Sequence, residues 1–122
     1  METVTAELRW KSLDAPDERR VFTKGQLQLV TLGGVTFGRA TLEPGWKWSE
    51  CVKPIAHTES CLAEHLQYLV SGRLHVSMDD GIEAEFGPGD VSLVPPGHDA
   101  WVVGNETVVL IDVSGMADYA RH

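Results

Sequence analysis

The chain has 122 residues, enough for one ordinary domain and too few for two. With 43 % hydrophobic residues it can bury a core without disulfides. Its net charge of −8 repels phosphate backbones and anionic lipid, which disfavours nucleic acid and membrane surfaces as partners.

The opening METVTAELRW lacks the basic start and apolar stretch of a signal peptide. No later segment approaches the ~18 consecutive apolar residues of a membrane span. The expected compartment is the cytoplasm, where Cys51 and Cys61 stay reduced. Residues 1–25 are polar, with a turn signal at Asp14-Ala15-Pro16-Asp17, and read as an arm or a pair of short strands. Within them Asp17-Glu18-Arg19-Arg20 reads as a solvated charge cluster. QLQLVTL (26–32) alternates as a strand does and stops at Gly33-Gly34. VTFGRATL (35–42) ends at Glu43-Pro44-Gly45. HLQYLV (65–70) stops at Ser71-Gly72, and RLHVSM (73–78) stops at the hairpin signal Asp79-Asp80-Gly81. IEAEF (82–86), VSLV (91–94), WVV (101–103) and TVVLIDV (107–113) complete the series. The tail MADYARH has room for one helical turn. Many short strands with Gly/Pro punctuation and no long amphipathic helix predict an all-β sandwich or barrel.

The segment from Glu59 to Leu69 concentrates the chemistry. Strand side chains of equal parity share a face, so Glu59, Cys61, His65 and Gln67 are expected to point the same way if no bulge intervenes. Thiolate, imidazole and carboxylate together suit zinc, and also iron, nickel or copper. The order C-x5-H-x3-C-x3-H is not zinc-finger spacing, which argues against a structural finger. A lone strand Cys also serves as a small core residue, and a His near a turn is often simply solvated, so spacing leaves both readings open.

GRATLEPGWKWSE followed by HLQYLVSGRLHVSMDDGIEAEFGPGDVSLVPPG resembles the cupin superfamily, small double-stranded β-helix or jelly-roll barrels. The resemblance covers residues 35–113 and implies one domain over 1–122: an arm with edge strands (1–34), a barrel core (35–113) and a short tail (114–122). Counting back from Gly72, the first cupin motif puts its Glu ligand at His65 and its paired His ligands at Glu59 and Cys61. Gly89, Pro95 and Gly97 match the second motif, whose His ligand then falls on Ala100. His98 stands two positions early and Asn105 one position late, so the resemblance implies a reshaped loop that brings His98 inward, three protein ligands with an open position, or no metal at all.

On that basis Cys61, His65 and His98 are the expected metal ligands, with Glu59 a fourth ligand or a catalytic base. Zinc is the expected ion. A thiolate ligand weakens Lewis acidity and is itself oxidisable, which makes oxygen chemistry less attractive. Gln67 is a candidate substrate contact. Trp48 and Trp101, with Trp46, are candidates for an aromatic wall at the barrel mouth, or for a plug or dimer contact. Asp99 could orient an imidazole or cap its loop. Covering sheet edges with the arm, and burying Trp10, predicts a homodimer. Two functions stand side by side: a metal-dependent enzyme acting on a small, oxygen-rich molecule, and a non-catalytic small-ligand-binding or sensor module.

Overall fold

The computed structural model describes residues 6–121. Nine strands and two short helices follow in order. They are β1 (Glu18–Phe22), β2 (Gly25–Leu32), β3 (Val35–Leu42), α1 (Trp48–Cys51), α2 (Lys53–Ala56), β4 (His65–Ser71), β5 (Leu74–Met78), β6 (Glu83–Phe86), β7 (Val91–Val94), β8 (His98–Val102) and β9 (Val108–Asp112). Every strand pair is antiparallel. One sheet has six strands in the order β1-β2-β3-β9-β4-β7, and the other three in the order β6-β5-β8.

Alternation produces the core. In β4, His65, Gln67 and Leu69 point inward while Leu66, Tyr68 and Val70 point out; β9 buries Val108, Leu110 and Asp112. The inner faces of both sheets meet in one apolar cluster, with Leu27, Ala40, Leu69 and Leu110 from one and Leu74, Val76, Ala100 and Val102 from the other. This is the two-sheet jelly-roll arrangement expected from the strand pattern. Strands β3 and β7 match their predicted spans, because each is bracketed by turn residues that no strand interior tolerates.

Three features depart from expectation. Strand β8 begins at His98, three residues earlier than the apolar run alone suggests, since His98 and Asp99 carry little strand propensity of their own. Two four-residue helices cover the end of the barrel and bury Trp48, Cys51 and Val52 there. Arg20, read as part of a solvated cluster, is buried on the inner face of β1. Its guanidinium donates to the carbonyl oxygens of Met116 (3.2 Å), Ala117 (2.7 Å) and Tyr119 (2.7 Å), and pairs with Glu18 at 2.6 Å. Planar and always charged, Arg presents enough donors to satisfy these acceptors together.

The tail forms no helix among the described residues. Instead Arg20 straps it across the barrel, where Met116 and Ala120 join the core and Tyr119 packs against it. No helix among the described residues is long and apolar enough to cross a membrane.

Candidate metal centre

Cys61 lies just before β4, in an antiparallel bridge with His98. The Cys61 amide donates to the His98 carbonyl (2.8 Å), and the Gly97 amide donates to the Cys61 carbonyl (2.7 Å). Four residues later His65 opens β4, paired in register with Val94. Cys61, His65 and His98 are all buried, and their donor atoms lie within 4.8 Å of one another. His65 Nε2 is 3.7 Å from Cys61 Sγ, and the two imidazole rings stand 5.2 Å apart in an edge-to-face arrangement.

What surrounds the rings fixes which nitrogens face the thiol. His65 Nδ1 donates to Asp112 Oδ2 at 2.5 Å. His98 Nδ1 lies 2.8 Å from the Pro95 carbonyl oxygen, which can only accept, so that nitrogen carries a proton. In its neutral form each imidazole therefore keeps its Nε2 lone pair free. This is the tautomer a metal ligand requires, and outer partners of this kind orient metal-binding histidines. The donor set, two Nε2 lone pairs and one thiolate, fits a borderline-soft divalent ion.

Asp112 is 0 % exposed, yet no acceptor site on it is wasted: its second oxygen takes the amides of Ser114 (2.8 Å) and Gly115 (3.1 Å). Residue 115 is close against the site, since a Cβ there would stand 2.0 Å from the Glu64 carbonyl oxygen and 2.9 Å from His65 Nδ1. Only glycine fits that approach without displacing His65 or the backbone.

Electrostatics follow from the geometry. Burial pushes the Cys61 thiol up, but hydrogen bonds and charge from His65 and His98 outweigh it and bring its pKa from 9.0 to about 6. Burial pushes His65 down, whereas Asp112 and Cys61 raise it from 6.5 to about 9. Asp112 is held below its ordinary value: burial opposes this, but His65 and the two amides prevail. With no ion bound the cluster is thus a thiolate–imidazolium pair buttressed by a carboxylate. Burial raises the Tyr119 phenol well above 10, and it stays protonated.

The other expected residues divide. Gln67 and Trp48 are buried and line a chamber of about 30 Å³ beside His65 and His98. Trp46 lines it too. Glu59 does not reach the site: its carboxylate is 98 % exposed and pairs with Lys53 at 3.2 Å. Helix α2 ends at Ala56, His57 adopts a left-handed conformation (φ 59°), and β4 starts only at His65. The two-residue strand period therefore does not extend back to residue 59.

Trp101 also falls outside the chamber. In β8 the inward positions are His98, Ala100 and Val102, so Trp101 faces out, stacked on His75 (4.6 Å) beneath the Lys47 ammonium. Asp99 caps instead of orienting a ring, accepting from the amides of Ser49 (3.0 Å) and Ala100 (2.9 Å). Asp112 and Tyr119 were not anticipated. Asp112 had a readable signal, a charge at an inward position of an otherwise apolar strand. Tyr119, whose ring lies 5.5 Å from that of His65, had none. Trp48 and Tyr119 line both the inner chamber and an open cleft of about 770 Å³ outside it.

No family model and no curated protein sequence matches the chain. Solved structures do match. A protein of unknown function from Rhizobium leguminosarum aligns at 20 % identity over 90 % of this chain and 98 % of its own, with a TM-score of 0.61. The polyketide cyclase RemF from Streptomyces resistomycificus aligns at 14 % identity over 89 % of this chain and 80 % of its own, with a TM-score of 0.62. A cupin-like protein from Thermotoga maritima aligns at 17 % identity over 79 % and 72 %, with a TM-score of 0.55. The antiparallel two-sheet barrel of this chain thus shares its fold with these proteins, the cupin-like one among them.

Proposed function

We propose that the protein binds one divalent metal ion, zinc in the first place, through Cys61, His65 and His98, and holds a small, oxygen-rich molecule beside it. One observation carries the reading: both imidazoles have Nδ1 committed to an acceptor, and donor atoms of both lie within 4.8 Å of the same buried thiol. Bound there, the ion would supply Lewis acidity toward an oxygen atom. The chain's own residues do the rest. Asp112 and the Pro95 carbonyl hold the rings in their tautomers, Gln67 offers an amide to the chamber, and Trp48 and Tyr119 keep bulk water out.

A second reading is favoured by the order Cys61–His65–Asp112, which is also that of a thiol nucleophile, its base and the group that orients the base. The His98 Nε2, placed at the same point, has no part in that chemistry, and for this reason we rank the metal reading first. The polyketide cyclase among the similar folds is an enzyme, but fold alone does not carry an activity to this chain. Without an identified acid–base pair, the non-catalytic ligand-binding role stays beside the enzymatic one.

The test is direct. Protein stripped by chelator and reloaded with zinc should hold about one ion per chain after gel filtration, read by elemental analysis. Retention of none would remove the metal reading and leave the thiol.

The reading also takes the protein as a cytoplasmic homodimer with a small-molecule partner and neither nucleic acid nor membrane. What supports the dimer is a contiguous apolar patch, Leu66, Tyr68, Val91 and Leu93, on the outer face of β4 and the edge strand β7. Trp10, 78 % exposed, is a second exposed apolar side chain, beside Thr31, Leu32 and Gly33. Sedimentation at the mass of a single chain would rule the dimer out.

A further inference from the structure

Among the described residues one buried side-chain polar atom has no hydrogen-bond partner: the indole nitrogen of Trp46. Its side chain lines the inner chamber together with His65, His98 and Gln67. Buried indole N–H groups ordinarily find an acceptor, and one left without is costly. Loose packing does not explain the omission. The Trp46 amide donates to the Glu43 carbonyl (3.0 Å), its own carbonyl accepts from Val102 (3.0 Å), and the residue is 2 % exposed. Gln67, 7 % exposed, is a second polar side chain of the same lining. Two polar side chains therefore line one chamber, the indole N–H of one of them without a partner, next to the proposed metal ligands.

Resting on the metal reading, we infer that Trp46 Nε1–H and the Gln67 amide form the anchoring subsite for a small carboxylate, one of whose oxygens is available to the ion. The chemistry selects the class. An indole nitrogen only donates, so its complement is an acceptor and not a cation or a second donor. Gln67 adds a further donor and tolerates either polarity. Size selects within the class. A chamber of about 30 Å³ admits one or two water-sized groups, which is the scale of formate or of a carboxylate head. The apolar remainder of the lining, Leu42, Leu74, Val76 and Leu110, offers nothing else for a charged group to pair with.

Formate is the probe. In ¹⁵N-labelled, zinc-loaded protein the four tryptophan indole N–H signals are assigned by triple-resonance spectra, and formate is titrated in. The Trp46 indole proton should move downfield and saturate, while those of Trp10 and Trp101 stay in place. Calorimetry should show formate affinity falling about tenfold or more in Trp46→Phe, which deletes the donor but keeps an aromatic ring, with zinc content unchanged. Should that variant fail to fold, the wild-type titration decides alone.

Zinc bound but no saturable Trp46 shift would overturn this inference and leave the metal centre standing. A chamber holding resident water only would give that result. No zinc in the wild type would overturn both.

Discussion

Cys61→Ser, His65→Ala and His98→Ala should each fall from about one zinc per chain to a small fraction of it, with the far-ultraviolet circular dichroism of the β fold retained. Each substitution removes one of only three protein donors, and the donors are rigid: Cys61 and His98 are bridged through their backbones, and His65 is paired into β4. No neighbouring His, Cys, Asp or Glu completes a second cluster among the described residues, so nothing stands ready to replace a lost donor. Of the three, His98→Ala is the most informative, because His98 sits two positions before the motif position that Ala100 occupies. Both face inward from β8, but of the two only His98 carries a donor atom. Glu59→Gln is the control: fully out in solvent and paired with Lys53, it should leave occupancy unchanged. Full occupancy in any of the three ligand variants would remove that residue from the set.

Asp112→Asn should produce the next largest effect while leaving almost every atom in place. An asparagine still accepts the Ser114 and Gly115 amides through its oxygen, but it turns an N–H₂ toward His65. His65 Nδ1 must then become an acceptor, its proton moves to Nε2, and the nitrogen facing Cys61 is blocked. Loss of such an orienting partner ordinarily lowers metal affinity about 10–100-fold. In metal-free protein the same change should be visible at the thiol. Wild-type thiolate absorbance at 240 nm should titrate with a midpoint of about 6, and the midpoint should rise in the variant as the imidazolium is lost. A wild-type midpoint near the ordinary thiol value would contradict the pair.

The pH dependence of stability separates these groups by sign. His65, raised from 6.5 to about 9, stabilises the fold fully below 6.5 and loses that contribution as pH rises through 9. Cys61, lowered from 9.0 to about 6, does the reverse: its contribution is present above 9 and lost as pH falls through 6. Between about 6.5 and 9 the two slopes cancel and the summed contribution stays level, since the folded pair and the unfolded pair bind the same number of protons. The acid limb belongs to Asp112, whose lowered pKa gives stability present above 3.8 and lost as pH falls below it.

How far the sequence could be read is clearest at particular positions. VTFGRATL and VSLV announce their strands because alternation and flanking Gly and Pro agree. Cys61, His65 and His98 were visible as donor types at usable parity, but their convergence depends on the bridge between residues 61 and 98, which no local pattern encodes. Glu59 misses the site because strand parity does not extend back past the start of β4, and Trp101 because β8 begins early enough to put it on an outward position. Arg20 looked like surface because charge usually means solvent, and its burial depends on carbonyls about a hundred residues away. The missing acceptor at Trp46 is legible only in three dimensions, because indole satisfaction is a property of packing.

The place of β9 in the sheet has a consequence for how the protein is made. The last of the nine strands lies between β3 and β4, in the interior of the six-stranded sheet. Until it inserts, β3 and β4 each present an open edge, and His65 lacks the carboxylate 47 residues further on that turns it toward the thiol. A growing chain on the ribosome can expose Cys61 and His65 early but cannot orient them. Ion capture at the proposed site would therefore be the final event of biosynthesis rather than its template, the reverse of a zinc finger, which folds around its metal. Nascent chains stalled before Val108 should be the species most prone to edge-to-edge association and to chaperone capture.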